Sequence, residues 1–264
     1  MQVPFQIEVG CNTILGILHI PAKRAPGSPV VFMSYGLNGN RVDNNRISVA
    51  FGRKAEESGI IFCRFDYRGL GVSEKDFWEI SMTTKIEDSL AVIEFLKGCM
   101  QAEKHSLFIL GFSDGLRIAV PLLKHDIDVS GLILWSPIFF IETKYVDSSI
   151  PKKFEREPVS KEVVFPFKGL WINQKHLRQQ VVLGTEYEDF RKFSKPKLSV
   201  FGGNDPATLA TFKQINNGVS DIHGAKNIMI PDADHLYSGS KWTQQLITET
   251  VNWVKDVSEG SIDK

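Results

Sequence analysis

Residues 106–123 read Ser106-Leu107-Phe108-Ile109-Leu110-Gly111-Phe112-Ser113-Asp114-Gly115-Leu116-Arg117-Ile118-Ala119-Val120-Pro121-Leu122-Leu123. Ser106 to Gly111 is a near-continuous apolar run, as a strand covered on both faces requires, and Leu116 to Leu123 is compatible with a helix. Between them stands Gly-x-Ser-x-Gly. A serine on a tight strand-to-helix turn sits in strained backbone and needs small residues two positions to either side, because side chains there would strike the neighbouring strand and helix. Gly111 and Gly115 meet that need, which makes Ser113 a candidate nucleophile. The pattern alone recurs by chance as a glycine-rich turn with an idle serine, and its place between a buried strand and a helix is what gives it weight.

Working outward, Pro29 to Tyr35, Ile60 to Phe65, Gly131 to Trp135, Lys197 to Phe201 and Lys226 to Ile230 read as further buried strands, most of them bounded by Gly, Pro, Asp or Asn. Helical periods lie among them: Ile86, Leu90 and Ile93 form one apolar stripe that leaves Lys85, Glu87, Asp88 and Glu94 mostly to solvent, and Gly98 stops that helix. Other helices are expected just after Ser113, over Arg46 to Ser58 and over Trp242 to Val254. Phe5 to Val9 and Ile14 to Ile20 look like an antiparallel pair at the sheet edge. The expected fold class is α/β: a mostly parallel twisted sheet of about eight strands with helices on both faces. The rhythm fails between residues 137 and 195, too long a stretch for an ordinary loop, so a small helical cap or lid is expected there. The core domain then comprises residues 1–136 and 196–264.

A serine hydroxyl needs a base within hydrogen-bond reach, and the base needs a partner that fixes its tautomer. Of the six histidines, His235 in Pro231-Asp232-Ala233-Asp234-His235 follows the strand ending near Ile230, at the carboxyl end of the sheet where ligands bind. His223 precedes that strand and belongs to the opposite end; it is read as a surface residue, with His19, His105, His125 and His176. For the acid, Asp205 in Gly202-Gly203-Asn204-Asp205-Pro206 directly follows a strand and shares the rim of His235. Asp232 and Asp234 compete by proximity in sequence, with a polar turn as their ordinary role.

These motifs resemble the α/β-hydrolase family, especially its esterase, acyl-lipase and serine-aminopeptidase-like branch. Asp66-Tyr67-Arg68-Gly69-Leu70-Gly71-Val72-Ser73 is similar to that branch's Asp-x-Arg-Gly-x-Gly-x-Ser loop, and the order Ser113, Asp205, His235 is that of the family. The resemblance runs from about Val30 to Trp253, outside the insertion. It implies a backbone oxyanion hole made by the amides of Asp114 and of Leu37, in Ser34-Tyr35-Gly36-Leu37-Asn38-Gly39-Asn40-Arg41. Relatives often carry His-Gly in that loop, and this chain has Tyr35 in the histidine's place. Asp66 and Arg68 are read as braces of a turn near the site.

The implied activity is hydrolysis of a carboxylic ester or thioester through an acyl-serine, with no cofactor and no metal. The substrate class is a small acyl compound, a carrier-bound acyl thioester included. Amidase or aminopeptidase-like cleavage and acyl transfer use the same three residues, and a non-catalytic binding protein on this fold is the alternative of a different class. Phe139, Phe140, Phe167 and Trp171 in the insertion are candidate substrate-binding residues, although cap aromatics more often form their own small core. The Asp114 carboxylate is a further candidate; its alternative role is structural pairing with a backbone amide, Arg41 or Arg68.

Composition narrows the partners. Lys and Arg number 31 against 31 Asp and Glu, without like-charge blocks, which argues against nucleic acid. No segment reads as a membrane span, and Cys11, Cys63 and Cys99 lack metal or redox spacing. Cytoplasmic residence is the default expectation.

Overall fold

The structure, a computed structural model, describes residues 1–23, 25–99, 105–139, 154–167, 169–176, 185–217 and 224–260. Its strands are β1 (Gln2–Val9), β2 (Asn12–His19), β3 (Val30–Ser34), β4 (Ile61–Phe65), β5 (Leu107–Phe112), β6 (Val129–Trp135), β7 (Glu155–Arg156), β8 (Val163–Phe167), β9 (Leu170–Asn173), β10 (Lys197–Gly202) and β11 (Ala225–Ile230). Eight of them form one sheet in the order β1-β2-β4-β3-β5-β6-β10-β11. From β4 to β11 all neighbours are parallel, and β1 and β2 add an antiparallel edge. Strands β3, β4, β5 and β10 are buried at every residue, which explains their predominantly apolar runs, with Arg64 of β4 and Lys197 and Ser199 of β10 buried among them. Edge strand β1 shows the alternation of a half-exposed strand instead.

The helices are α1 (Ile47–Glu57), α2 (Met82–Cys99), α3 (Leu116–Leu122), α4 (Glu186–Lys192), α5 (Pro206–Asn217) and α6 (Ser240–Ser258). Helix α1 packs beside α6, and α2 beside α3. Aromatic contacts tie them to the sheet: Phe51 of α1 meets Phe62 and Trp135 edge-on, Trp253 of α6 meets Phe108, and Phe95 of α2 stacks on Phe5. This is the α/β-hydrolase architecture expected from the sequence.

Three local expectations change. First, α2 runs through Gly98 to Cys99, and its buried residues are Lys85, Asp88, Ser89, Val92, Ile93 and Leu96, while Ile86 and Leu90 are only partly covered. Lys85 and Asp88 are not left to solvent, because each meets a polar group supplied by a loop of the sheet. Second, the described residues between 137 and 195 contain a three-stranded antiparallel sheet, β7-β8-β9, as well as helix α4. Strands this short, one of two residues, leave little period to read. Third, His19 and His176 are buried rather than superficial. His19 Nε2 accepts from Arg64 Nε at 2.9 Å, and burial, followed by the Arg64 charge, pushes its pKa down to about 4. His176 lies edge-on to Phe77. His105 is half-buried with Nδ1 2.7 Å from the Ser28 carbonyl, His125 is exposed, and His223 lies outside the described residues.

The parallel strands all end at one rim. There the chain continues into the loops after Ser34, Phe65, Phe112, Trp135, Gly202 and Ile230, so residues far apart in sequence converge without further device.

Candidate active site

Strand β5 ends at Phe112, and Ser113 enters a short turn of 3-10 helix with φ 54°, a left-handed conformation that a non-glycine residue adopts only where its surroundings hold it. The flanking glycines make the turn possible. A Cβ on Gly111 would lie 2.9 Å from the Ala119 Cβ and 3.0 Å from the Leu116 nitrogen, and one on Gly115 would lie 2.4 Å from the Ser34 carbonyl oxygen. The turn therefore presses against both α3 and the end of β3, and it lifts Ser113 to the rim.

His235 follows β11 and faces this turn. Its Nε2 is 2.7 Å from Ser113 Oγ, and its Nδ1 is 2.7 Å from Asp205 Oδ2. A carboxylate beside Nδ1 places the ring proton there and leaves Nε2 as the acceptor for the serine proton. The loops carrying the acid and the histidine approach closely because Gly202 has no side chain: a Cβ there would lie 2.5 Å from the Ala233 carbonyl oxygen. The ring is also held by its surroundings. Phe112 lies nearly parallel to it, and Ser136, itself at φ 46°, donates its hydroxyl to the His235 carbonyl at 3.0 Å. Asp205 is 1% exposed, and its carboxylate accepts from the Thr208 hydroxyl at 2.7 Å and the Ala207 amide at 3.0 Å, at the start of α5.

The competing acids have other work. Asp234 Oδ1 accepts the amides of Leu236 and Ser238, a polar turn; burial, the largest single influence, pushes its pKa up, and the hydrogen bonds from Ser238 and Leu236 together with the His235 charge outweigh it, so the net shift is downward. Asp232 is exposed.

The loop after β3 lies across the Ser113 turn. A Cβ on Gly36 would come 3.7 Å from the Ser113 Cβ, which puts the Gly36-Leu37 peptide beside the serine. Gly39 donates its amide to the Gly36 carbonyl at 3.2 Å, closing a four-residue turn with Leu37 second. The turn is tied down further along by Asp66, whose Oδ1 accepts the Arg41 amide at 2.7 Å and whose Oδ2 accepts the Val72 amide at 2.9 Å and pairs with the Arg41 guanidinium. Asp66 thus braces the loop after β3 as well as its own. Arg68 is turned away to Asp88, with Nε 2.7 Å from Oδ1. Gly71, at φ 58°, leaves room for the Asp66 carboxylate, which a Cβ would meet at 2.0 Å.

The Asp114 carboxylate has an arginine partner beyond the two named from the sequence: its Oδ1 lies 3.3 Å from Nε of Arg117, one helical turn on, and Arg117 is 5% exposed. The i, i+3 spacing is visible in the sequence, but a buried arginine on an otherwise apolar helix was not anticipated.

Of the aromatic candidates, Phe139 is buried against Tyr187 and Phe190, and its amide donates to Thr211 Oγ1 at 3.1 Å. Trp171 on β9 is 39% exposed. Phe140 and the Phe167 side chain lie outside the described residues. Strand β9 packs on the 3-10 turn Phe77–Glu79, in the segment between β4 and α2.

Among the described residues no helix is long and apolar enough to cross a membrane. No curated protein matches the chain. Solved structures do: Est1E from Butyrivibrio proteoclasticus with ferulic acid bound is 20% identical, with 98% of this chain and 100% of that one covered and a TM-score of 0.74. The esterase domain of a Rhodothermus marinus protein is 16% identical over 97% and 98% of the chains, with a TM-score of 0.69. Proline iminopeptidase from Mycobacterium smegmatis is 11% identical over 98% and 100%, with a TM-score of 0.67. At such identities the likeness is one of fold. The profile of the family described as serine aminopeptidase, S33, matches residues 43–205, more than half of the sequence, from the loop after β3 through Ser113 to Asp205. The chain therefore belongs to the serine aminopeptidase S33 family, hydrolases of the α/β-hydrolase superfamily.

Proposed function

We propose that the protein hydrolyses a carboxylic ester or thioester through an acyl-serine, with Ser113 as nucleophile, His235 as general base and Asp205 as the acid that orients it. The observation that carries this reading is the unbroken pair of hydrogen bonds from Ser113 Oγ through the imidazole to Asp205, both at 2.7 Å. Ser113 Oγ attacks the acyl carbonyl as its proton passes to Nε2, and buried Asp205 stabilises the imidazolium. The carbonyl oxygen, now negative, is met by the Leu37 and Asp114 amides. The imidazolium protonates the leaving group, the acyl-serine forms, and His235 then activates a water that releases the acid. Each step uses groups of this chain and water alone. Residues 137–195 serve as the cap over the site; in support, β9 rests on the segment leading away from the Asp66 loop.

Amide cleavage is the second reading, favoured by the peptidase family description and by the iminopeptidase among the structural neighbours. An aminopeptidase needs an anion for the substrate ammonium. The Asp114 carboxylate is nearest the nucleophile in sequence, and its pairing with Arg117 speaks for a structural role. A matched panel separates the readings: one acyl group presented as an aryl ester, a thioester on a small thiol, a thioester on an acyl-carrier protein, and an aminoacyl anilide. Esters and thioesters are expected to exceed the anilide by about tenfold or more in kcat/KM. Preference for the anilide would move the assignment to amide cleavage.

A further inference from the structure

Lys85, on the buried face of α2, is 1% exposed, and its ammonium makes one hydrogen bond among the described residues: Nζ donates to the Leu37 carbonyl at 2.9 Å. It also lies over the Tyr67 ring, 5.3 Å from its centroid. Burial pushes its pKa down to about 8, and the charges of Asp114 and then Asp88 pull the other way. A charge held out of water at this cost contributes nothing that a methionine of similar length would not supply by packing alone, unless the charge or the donor is used.

The bonds around Leu37 show a use. The peptide that carries the Leu37 amide is the Gly36-Leu37 peptide, whose carbonyl accepts from Gly39. In a trans peptide the N–H points opposite to the C=O, so that bond aims the Leu37 amide away from the turn interior. The next peptide, Leu37-Asn38, has its carbonyl fixed by Lys85. Both peptides flanking Leu37 are thereby anchored, one by the loop itself and one by a buried cation.

We propose that Lys85 is a positioning residue of the oxyanion hole: it anchors the Leu37 carbonyl so that the neighbouring amide faces the reacting oxygen. This rests on the acyl-serine reading above, and it adds a residue that touches no substrate atom.

The test is Lys85→Met in the whole chain, read with the best ester of the panel and with a trifluoromethyl ketone of the same acyl group, which forms a tetrahedral oxyanion adduct on the serine. Lys85→Met is expected to lower kcat by about tenfold to a hundredfold with KM nearly unchanged, and to weaken the ketone by a similar factor. If Lys85→Met does not fold, Lys85→Gln, uncharged and one bond shorter, replaces it and is read by the same two measurements. Wild-type kcat in the Lys85 variant, or a loss of kcat that the ketone does not register, overturns the role of Lys85. A wild-type protein that turns over no ester or thioester overturns the acyl-serine reading itself, so the two failures are distinct.

Discussion

Ser113→Ala is expected to lower kcat on an ester by roughly ten-thousandfold or more while leaving the far-ultraviolet circular dichroism unchanged. The residue sits half-buried at a turn whose shape is set by Gly111 and Gly115, and alanine tolerates φ 54° no worse than serine does. His235→Ala is expected to cost about as much, and the double variant no more than either single one, because a nucleophile and its base act as a unit. Steady-state kinetics on purified proteins check this; additive losses would mean that the two groups serve separate steps.

The second large effect distinguishes the acids. Asp205→Asn keeps the shape of a buried side chain, and Thr208 can still donate to it, but an amide cannot serve as the carboxylate partner of an imidazolium and invites the wrong tautomer; a fall in kcat of about ten-thousandfold is expected. Asp234→Asn removes charge from an acid whose bonds go to the Leu236 and Ser238 amides, so kcat is expected to stay within about threefold, with a modest loss of thermal stability. Kinetics at neutral pH on the two variants side by side decide the matter, and an intact Asp205→Asn enzyme would transfer the role.

How much of this was legible in the sequence depends on the kind of signal. Parallel strands announce themselves by near-continuous apolar runs, and once their order is known the loops at their carboxyl ends share a rim; the approach of residues 113, 205 and 235 follows from that topology. The glycine requirement was legible too, since it depends on backbone contacts within one turn. Helix α5 was overlooked although Asp205-Pro206 is a helix-start signal and Leu209, Phe212 and Ile215 recur at helical spacing. Lys85 and Asp88 were misplaced for a different reason. Periodicity assigns charged residues to solvent, and nothing local to α2 reveals that the Leu37 carbonyl and Arg68 arrive from other loops to receive them. Ser136 and Thr208, which steady His235 and Asp205, carry no sequence signal beyond following a strand and a helix start. The short strands β7 to β9 offered too few residues for any period to show.

The central claim is that Ser113 is the acylated residue. Incubating the protein with a fluorophosphonate and mapping the adduct by peptide mass spectrometry tests it directly. The account predicts a single adduct on the peptide containing Ser113, formed in step with loss of ester turnover and absent from Ser113→Ala; an adduct on another residue, or full turnover in protein quantitatively labelled at Ser113, would contradict it.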